Sequence, residues 1–539
     1  MGALGPSPDA DTVVADASAG HRAGSSASSS RRALVFVGFM GAGKSTAARI
    51  AANALGAEAL DSDALLASQL GESIESFFER EGEASFRARE EEVVLGLLAR
   101  ADARVIALGG GALGSARVRE ALREHLVVWL EVGPEEAWRR AAGRGRPLAR
   151  ERESFERLHA ERAATYLAAA DAIVPAELER RSVGTVLPAL ARLRAAIDAG
   201  DAGLRLVWAT SASGEYPVYL GLGSLAGGVF DPPEVRRFVV ADERVVTLHD
   251  LTGDWQLAIP GGEAGKTLAR AESVVREMAR AGVGRDDLVV AFGGGVVGDL
   301  AGFCAAVYQR GVRCVQVPTT LVAQVDSAYG GKTGVDLPEA KNYVGAYHQP
   351  AAVLVDPRVL STLPAEEVAA GYAEVVKTAL IAGGALWEEV RSGADPTSEE
   401  VILGCLRTKL AAVAADERDH GRRQVLNLGH TVGHALEAAT GYRRLRHGEA
   451  VALGLLCALR LSRQAELRDE VASLLRARGL SERLEGVDPG EVVALVERDK
   501  KRRGGSVPFV LVEAPGEVSP GHAIAEAELR AAIEEAVVA

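Results

Sequence analysis

Short apolar runs alternate with amphipathic stretches over the first third of the chain. The run Ala33–Gly38 predicts a buried strand, and a glycine-rich loop and a helical pattern through Leu55 follow it. Further buried-strand runs lie at Val105–Leu108 and Val127–Leu130, with helical segments between them, and the pattern fades after Val174. Strands that alternate with helices in this way predict a parallel sheet covered by helices.

A second alternating series begins at Leu204 and leads into a helical region. Before it, residues 176–204 are rich in Ala, Arg and Glu, which predicts a helical linker that ends in a glycine-containing turn. The strand candidates of the second series are Leu204–Ala209, Tyr216–Leu220, Phe238–Ala241, Leu288–Phe292, Cys314–Val317 and Ala352–Val355. After Leu363 the strand patterns end and helical patterns dominate nearly to the C-terminus, so we expect a cleft where the two regions meet.

The pattern divides the 539 residues into five segments. We predict a disordered tail at 1–31, an α/β domain at 32–175, a linker at 176–204, a Rossmann-like α/β domain at 205–362 and a mostly α-helical domain at 363–539. The tail is rich in Ala, Ser, Asp and Gly and lacks the apolar core of a secretory signal. No apolar run reaches the length of about 18 residues that a membrane span needs, so we expect a cytoplasmic protein.

Net charge and cysteine content argue against several classes of protein. The formal charge of −13 argues against general binding to nucleic acids or to anionic membranes. The four cysteines are scattered, with no C-x-x-C pair, which indicates neither a disulfide framework nor a thiolate zinc site. Lys, Arg and Gly are nevertheless concentrated at two places, so small anionic substrates are the expected partners.

The first of these places is a Walker A pattern, GFMGAGKST at Gly38–Thr46. It follows a predicted strand and precedes a predicted helix, as a phosphate-binding loop requires. In such a loop the backbone N–H groups approach the phosphates, Lys44 neutralises their charge and Ser45 binds Mg²⁺. Asp61 and Asp63 follow the next short strand, where one carboxylate can support Mg²⁺ and the other can accept the proton of a substrate hydroxyl.

Arginines and glycines recur after the Walker A loop, in the motifs GEASFRARE, LGGGA, RGRPL and RAATY. Arginines so dispersed can clamp a carboxylate and stabilise a transferring phosphoryl group, although each one taken singly is as well explained by a solvated helix face. A P-loop alone leaves kinases, GTPases and motor ATPases open. Together, the loop and these motifs resemble shikimate kinase over about residues 33 to 175.

The resemblance implies a P-loop fold like that of the nucleoside monophosphate kinases and ATP-dependent phosphorylation of shikimate. It implies that ATP is bound by Gly41, Gly43, Lys44, Ser45, Thr46, Arg140 and Arg146, the last of these on a lid. It places Mg²⁺ on Ser45 and Asp61, and shikimate on Asp63, Arg87, Gly110 and Arg162. The implied catalytic residues are Lys44, Asp63 and Arg146. Among them Asp63 would be the base, and Glu90 would support Arg87.

The second place combines a glycine-rich loop, basic residues and histidines. Gly293–Asp299 follows an apolar strand and precedes a helical pattern, the position for a dinucleotide pyrophosphate, although it lacks the GxGxxG fingerprint. From the residues alone, His430 and His434 share one helix face at i, i+4 spacing and predict two zinc ligands, with His447 nearby. Histidines of a core or a helix cap are the alternative.

Six motifs in this region look like 3-dehydroquinate synthase and match it in order over about residues 205–539. They are GGGVVGDLAGF, QVPTTLVAQVDSAYGGKTGV, AKNYVGAYHQP, GYAEVVKTAL, LNLGHTVGHALE and HGEAV. The resemblance implies conversion of 3-deoxy-D-arabino-heptulosonate 7-phosphate to 3-dehydroquinate and phosphate, with NAD⁺ and Zn²⁺ or Co²⁺. It moves the metal to Glu374, His430 and His447 and assigns His434 to proton transfer. It also implies a homodimer formed through this half.

The same resemblance assigns the remaining polar residues. NAD⁺ is expected on Asp242, Glu263, Lys266, Gly294, Gly295, Asp299, Thr319, Thr320, Asp326, Lys341 and Thr362. The heptulosonate phosphate is expected on Arg310, Lys332, Asn342, Lys409 and Lys500, with Lys501 as the alternative to Lys500. The implied catalytic residues are His434, Lys332, Lys377, Arg423 and Asn427.

The sequence therefore predicts a bifunctional enzyme of aromatic-amino-acid precursor synthesis, and two alternatives stay open. Related sugar-phosphate cyclases and metal-dependent polyol dehydrogenases share the NAD and metal architecture, but Arg423, Asn342 and Lys332 suit a substrate carboxylate. The other alternative makes one half a non-catalytic regulatory module. Intact reactive residues in both halves argue against it.

Overall fold

The computed structural model describes residues 33–142, 151–176, 180–200, 203–221, 224–225, 229, 235–502 and 508–538. For residues 180–183 and 499–502 it describes the backbone alone. We call residues 33–198 the first unit and residues 204–538 the second unit. Within the described ranges, no helix combines the length and the apolar character that crossing a membrane would need.

The first unit is built on five parallel strands in the order β2-β3-β1-β4-β5. The strands are β1 Leu34–Val37, β2 Ala59–Asp61, β3 Val105–Ala107, β4 Leu126–Glu131 and β5 Ala172–Pro175. The helices are α1 Lys44–Leu55, α2 Ser62–Leu70, α3 Ile74–Leu98, α4 Ala116–Leu122, α5 Pro134–Ala141, α6 Arg152–Ala169 and α7 Arg180–Asp198. All four residues of β1 are apolar and buried, as expected for the central strand of a covered parallel sheet.

The second unit begins with an α/β region. Its strands are β6 Arg205–Thr210, β7 Glu215–Leu220, β8 Arg237–Asp242, β9 Trp255–Ile259, β10 Leu288–Gly293, β11 Arg313–Pro318, β12 Lys332–Leu337, β13 Ala340–Tyr347 and β14 Ala352–Val355. Helices α8 Leu268–Arg280 and α9 Gly295–Val307 accompany them. Strands β12 and β13 form a separate antiparallel hairpin, while the others belong to one sheet.

The region after Leu363 is mostly helical. Its helices are α10 Ala365–Ala382, α11 Gly384–Arg391, α12 Glu399–Ala415, α13 His430–Ala439, α14 His447–Leu461, α15 Ala465–Ala477, α16 Pro489–Arg502 and α17 Glu526–Ala536. Four short strands accompany them: β15 Leu484–Glu485, β16 Phe509–Ala514, β17 Glu517–His522 and β18 Val537–Val538. The α/β class, with a parallel sheet followed by a second α/β region and then a mostly helical one, is confirmed.

One twelve-stranded sheet runs through both units. Ala172 and Ile173 of β5 pair in parallel with Leu206 and Val207 of β6, and β6 pairs antiparallel with β7. The sheet continues in parallel in the order β7-β14-β11-β10-β8-β9. The edge that each unit would otherwise expose is thereby covered by the other.

The predicted strands and the observed ones agree closely. Each of the nine candidate runs in the two series corresponds to a strand whose ends lie within one residue of the prediction. The expectation that strands end after Leu363 is wrong, because β16 and β17 form an antiparallel hairpin around Pro515 and Gly516. Gly516 has a φ of 91°, a left-handed conformation that glycine adopts without strain.

The segment predicted as a helical linker contains helix α7, which packs on α1. Val186, Leu190 and Leu193 of this helix are buried, and the helix also contacts β6 of the second unit. The domain boundaries drawn from the sequence remain a proposal. The predicted tail at 1–31 lies outside the described residues.

Arg407 of α12 links the second unit to strand β4 of the first. Its guanidinium group pairs with the Glu131 carboxylate and lies 5.3 Å from the centre of the Trp129 ring. We expect Arg407→Ala to lower the free energy of unfolding by about 1 kcal/mol, because the pair is only partly buried. Backbone amides of β5 and β6 should exchange hydrogen faster, as measured by mass spectrometry.

The matched control for this variant is Arg391→Ala, which breaks an exposed ion pair between Arg391 and Glu470 within the second unit. That change should leave exchange in β5 and β6 unaltered. Equal exchange in all three proteins would show that Arg407 does not hold the two units together.

Candidate functional site

The Walker A loop joins β1 to α1 in the conformation that phosphate binding requires. Gly41 and Gly43 both have a φ of 85°, and α1 begins at Lys44 directly after them. The backbone N–H groups at this helix start are therefore directed toward the loop, where an anion would be stabilised. Lys44 Nζ donates to the carbonyl oxygens of Gly38 at 2.9 Å and of Phe39 at 3.1 Å, which keeps the ammonium group over the loop.

A cleft of about 530 Å³ opens beside the loop. Its lining includes eleven residues expected from the sequence: Gly41, Gly43, Lys44, Ser45, Thr46, Asp61, Asp63, Arg87, Gly110, Arg140 and Arg162. Ile74, Phe78 and Phe86 add an apolar wall that the sequence analysis did not identify. The structure thus brings the phosphate loop, two carboxylates and three arginines to one cavity, while Arg146 lies outside the described residues.

The carboxylate and arginine side chains of this cleft are held by neighbours. Asp61 Oδ1 accepts the N–H of Asp63 at 2.9 Å, which caps α2. Arg87 Nη1 donates to Glu90 Oε2 at 2.6 Å. Burial raises the pKa of Glu90, and the charge of Arg87 offsets part of that effect. A side chain at Gly111 would displace the Arg87 guanidinium group from its present position.

Helix α6 fixes the backbone of Gly110 from the opposite side. Arg162 Nη1 donates to the Gly110 carbonyl oxygen at 2.9 Å, and the Tyr166 hydroxyl donates to the same oxygen at 2.6 Å. Burial raises the pKa of Tyr166 to about 12, so its hydroxyl remains a donor. The sequence analysis quoted Tyr166 in a motif without giving it a role. Arg140, in turn, donates to the carbonyl oxygen of Gly41 at 3.3 Å.

A second glycine-rich turn joins β10 to α9 in the second unit. Gly294 is the N-cap residue of α9, and a side chain there would approach Thr320 Cγ2 to 2.9 Å. Thr319 N donates to Gly293 O at 3.0 Å, which ties the end of β11 to the end of β10. The turn therefore presents a helix N-terminus at the carboxyl edge of parallel strands, where α/β proteins bind nucleotides.

Lys266 lies beside this turn with its ammonium group enclosed. The side chain is 4% exposed, and Nζ contacts Asp299 Oδ2 at 2.5 Å and Asn342 Oδ1 at 2.6 Å. Burial alone would lower the pKa of Lys266, but the carboxylates of Asp299 and Glu263 outweigh it and raise the pKa. Asn342 has a φ of 56°, in the left-handed region that asparagine adopts more readily than most residues.

A row of buried charged groups extends from Asp326 to helices α10 and α12 of the helical region. Asp326 lies in a π-helical turn, and its Oδ1 is 2.7 Å from Lys409 Nζ and 3.6 Å from Lys377 Nζ. Burial would raise the pKa of Asp326, but the two lysines lower it to about 2. Lys377 is fully buried and lies 2.5 Å from Glu374 Oε2. Two cations and two carboxylates thus alternate along this row.

Glu374, His430 and His447 converge beyond this row. Glu374 Oε1 lies 3.6 Å from His430 Nε2 and 3.4 Å from His447 Nε2. Ligand atoms of a tetrahedral zinc site are about 3.4 Å apart, so these donors fit one small cation. Glu374 is 1% exposed, and because Lys377 Nζ contacts its Oε2, its Oε1 is left to face the two ring nitrogens. A buried carboxylate in that state fits a metal ligand.

The charge states of the two histidines differ in the metal-free protein. Burial lowers the pKa of His430 to about 3, so that ring is neutral and able to bind a metal. Burial would also lower the pKa of His447, but the carboxylates of Glu374 and Glu437 raise it to about 10. The two described groups of three donors each contain only one of His430 and His434: His430 groups with Glu374 and His447, and His434 with Glu437 and His447.

Both units match known families. Residues 40–190 match the family model described as shikimate kinase, residues 256–370 match 3-dehydroquinate synthase N-terminal, and residues 371–502 match 3-dehydroquinate synthase C-terminal. A 3-dehydroquinate synthase of Symbiobacterium thermophilum is 45% identical over 332 residues, which cover 56% of this chain and 92% of the relative. The chain belongs to the 3-dehydroquinate synthase family. The predicted combination with an N-terminal shikimate kinase is confirmed.

Further relatives support the same assignment for the synthase unit, residues 204–538. A 3-dehydroquinate synthase of Halorhodospira halophila is 43% identical and covers 58% of this chain and 94% of its own length. Among solved structures, 2-epi-5-epi-valiolone synthase from Streptomyces hygroscopicus superimposes with a TM-score of 0.54 at 27% identity. That comparison covers 60% of this chain and 98% of the other, whose structure holds NAD⁺ and Zn²⁺.

Basic residues of the synthase unit are paired with local partners. Lys332 Nζ donates to Asp419 Oδ2 at 2.6 Å, and Lys341 Nζ lies 3.3 Å from Glu263 Oε1. Arg423 is 1% exposed, and its guanidinium group donates to the backbone carbonyls of Gly330 and Glu417. The Lys332 ammonium group has further donors and the side chain is 47% exposed, so it can contact a substrate while it stays paired with Asp419.

The remaining predicted residues have these positions. Asp242 ends β8 and accepts the N–H of Arg244 at 2.9 Å. Thr362 Oγ1 lies 2.8 Å from His249 Nε2. Arg310 ends the turn after α9, and Asn427 ends a 3-10 turn before α13. Gly295 is the first residue of α9. The side chains of Lys500 and Lys501 lie outside the described residues.

Proposed function

We propose that the first unit transfers a phosphoryl group from ATP to shikimate, and that the synthase unit converts 3-deoxy-D-arabino-heptulosonate 7-phosphate to 3-dehydroquinate and phosphate. The observation that carries the proposal is the convergence of the predicted polar groups on the cleft beside Lys44, and of Glu374, His430 and His447 on one another. In each unit the convergent groups suit the reaction of the family that the unit matches.

The first unit provides positioning and charge stabilisation for phosphoryl transfer. Lys44 and the loop amides would hold the phosphates, and Arg140 would lie against the adenine. Ser45 and Asp61 would support Mg²⁺. Asp63 would take the proton of the shikimate hydroxyl, while Arg87 and Arg162, with the backbone of Gly110, would hold the substrate. Such pre-oriented groups are the main source of catalysis in phosphoryl transfer.

The synthase unit would hold its cofactors between the two regions that form its cleft. When bound, a divalent metal such as Zn²⁺ or Co²⁺ supplies Lewis-acid polarisation, and NAD⁺ supplies reversible hydride acceptance. Glu374, His430 and His447 would bind the metal. The groups proposed for NAD⁺ are Asp242, Glu263, Lys266, Gly294, Gly295, Asp299, Thr319, Thr320, Asp326, Lys341 and Thr362.

Residues of the chain would then bind and orient the heptulosonate phosphate. Those proposed to contact it are Arg310, Lys332, Asn342, Lys377, Lys409, Arg423, Asn427 and Lys500. His434 would move protons beside the metal ligands, consistent with its exposed ring 5.4 Å from the ring of His430. Lys377 and Lys409 would stabilise negative charge that develops on the substrate, because both are buried and fixed by Asp326.

The direct test uses the full chain with both substrates. We expect phosphorylation of shikimate with ATP and Mg²⁺, and release of phosphate from the heptulosonate phosphate with NAD⁺. A chelator strong enough to remove zinc should abolish the second activity, and addition of Zn²⁺ or Co²⁺ should restore it. Absence of either activity from the metal-loaded protein would refute that half of the proposal.

Carboxylate-free sugar phosphates are the second candidate substrates, because a solved relative is a 2-epi-5-epi-valiolone synthase. The sequence identity to enzymes named 3-dehydroquinate synthase is greater than that to the valiolone synthase, which supports a substrate that carries a carboxylate. Turnover of a carboxylate-free sugar phosphate faster than the heptulosonate phosphate would favour the second candidate.

A cytoplasmic location and a homodimer formed through the synthase unit belong to the same proposal. The β5–β6 pairing excludes β6 as a strand that pairs across the dimer interface. Strand β6 already has a neighbouring strand on each side, so it cannot pair with a strand of a second copy. Sedimentation analysis of the full chain would measure the oligomeric state.

Tyr166 offers a specific test of the proposed shikimate pocket. We expect Tyr166→Phe to raise the KM for shikimate about threefold to tenfold, because one hydrogen bond to the Gly110 carbonyl is lost at a cost of about 1 kcal/mol. The kcat should change by less than about twofold, since Tyr166 holds the backbone and not the reacting atoms. Steady-state kinetics at saturating ATP measures both.

Tyr308→Phe is the matched control, because it removes a hydroxyl that donates to the Val283 carbonyl at 3.0 Å in the synthase unit. It should leave the shikimate kinetics unchanged. A loss of kcat on the order of a hundredfold in Tyr166→Phe would instead mean that the hydroxyl acts on the reacting groups.

A further inference from the structure

We propose that Glu437 is a positioning residue for the metal centre. Its carboxylate orients the ring of His447 and also holds the ammonium group of Lys341, which lies on the β12–β13 hairpin. The inference rests on the proposed function in one respect, namely that Glu374, His430 and His447 bind the metal. Glu437 has no assigned role in that function.

Glu437 and Glu374 face opposite nitrogens of the same histidine ring. Glu437 Oε1 lies 3.5 Å from His447 Nδ1, while Glu374 Oε1 lies 3.4 Å from His447 Nε2. If Nδ1 carries the proton, it points at the Glu437 carboxylate, and the lone pair of Nε2 then faces the metal position. Carboxylates that accept the second ring N–H of a metal-binding histidine fix its tautomer and its orientation.

The same oxygen of Glu437 also accepts from the hairpin. Lys341 Nζ donates to Glu437 Oε1 at 3.1 Å and lies 3.3 Å from Glu263 Oε1. The ammonium group further lies 5.0 Å from the centre of the Tyr442 ring. Lys341 thus links Glu263, one of the residues proposed to bind NAD⁺, to Glu437, which lies beside the proposed metal ligand His447. Because Glu437 compensates its charge, Lys341 can stay close to a bound cation.

Burial and partners separate Glu437 from Glu449, the carboxylate two residues after His447. The Glu437 side chain is 3% exposed, as expected of a carboxylate fixed by charged partners. Glu449, in the first turn of α14, instead accepts the backbone N–H of Arg446 at 2.8 Å and pairs with the guanidinium group of that arginine. Among the carboxylates described around His447, Glu437 is therefore the one suited to hold Nδ1.

Glu437 could alternatively be a metal ligand itself, because its donor atom groups with those of His434 and His447. The partners of the two glutamates decide against this. Glu374 Oε1 faces Nε2 of both His430 and His447, whereas Glu437 Oε1 faces Nδ1 of His447 alone among these two rings and accepts a hydrogen bond from Lys341. The carboxylate that shares its oxygen with two histidine nitrogens is the better ligand, and the one held by a lysine is the better support.

The experiment measures Zn²⁺ affinity of the full-length apoprotein by competition with a chelating dye. We expect Glu437→Gln and Glu437→Ala to weaken Zn²⁺ binding about 10- to 100-fold. The unfolding temperature of the apoprotein should stay near the wild-type value in Glu437→Gln, while the increase caused by Zn²⁺ becomes smaller. Glu263→Gln is the matched control: it removes the other carboxylate beside Lys341, does not touch His447 and should leave Zn²⁺ affinity unchanged.

Cobalt substitution distinguishes support from ligation. The Co²⁺-loaded Glu437→Gln protein should keep the wild-type visible bands, because all the metal ligands remain. Loss or strong displacement of those bands would make Glu437 a ligand and overturn the proposal. Unchanged Zn²⁺ affinity in both folded Glu437 variants would overturn it as well. Failure of the wild-type protein to bind Zn²⁺ would refute the proposed metal site, whereas tight binding without synthase activity would refute the proposed reaction alone.

Discussion

Lys44→Ala is expected to lower the kcat for shikimate phosphorylation on the order of a hundred- to a thousandfold, because it removes the positive charge that meets the transferring phosphoryl group. Lys44 Nζ is held over the loop by the carbonyls of Gly38 and Phe39, so no reorganisation is needed when phosphates arrive. Release of phosphate from the heptulosonate phosphate should stay within about twofold of wild type, because the synthase groups lie on other strands and helices. A coupled assay for ADP and a phosphate assay measure the two activities on one preparation.

The control for this variant is Arg89→Ala. It removes a cation from the exposed face of α3, where Arg89 pairs with Glu92, and should leave both activities unchanged. Unfolding curves of both variants are needed, since the shared sheet could transmit a loss of stability from one unit to the other. If Lys44→Ala removed both activities while its unfolding curve matched wild type, independence of the two sites would be untenable.

Strands of the shared sheet were predictable because their signal is local. Leu288–Gly293 is a continuous apolar run followed by glycines, and every residue in it is buried. The β12–β13 hairpin gave no such signal, because β13 carries polar side chains and has no buried residue. The run Phe509–Ala514 begins with four consecutive apolar residues, but it lies in a region dominated by helical patterns. Pro515 and Gly516 between two β-rich runs were the usable hairpin signal.

Sequence motifs predicted which residues belong to the two proposed sites, whereas only the fold shows how those residues lie relative to one another. Lys44 and Ser45 are neighbours in the chain, so the loop could be assigned directly. Glu374 lies on α10 and His430 on α13, and no sequence periodicity relates the two residues. Helical spacing therefore points to His430 and His434 as metal ligands and gives no reason to include Glu374. The pairing of β5 with β6 is equally non-local, because it depends on how two complete units pack.

His430→Ala is expected to reduce the synthase kcat/KM by at least about a hundredfold and to release the metal on dialysis. Replacing a residue that only hydrogen-bonds to a metal ligand already lowers metal affinity or activity about 10- to 100-fold, and loss of a ligand should lower it more. The ring supplies one of three clustered donors, and its loss leaves Glu374 buried with a single histidine and Lys377. Shikimate phosphorylation should be unaffected. Metal content is measured by elemental analysis, and both activities on the same sample.

His522→Ala is the matched histidine control for this experiment. His522 ends β17 and its Nε2 lies 2.8 Å from Ser519 Oγ, apart from the three clustered donors. Its replacement should therefore retain metal and both activities. If His430→Ala kept one equivalent of zinc and normal turnover, the metal would have to be held without His430. His434, Glu437 and His447 would then be the donors to replace next, because they form the other described group able to bind a cation.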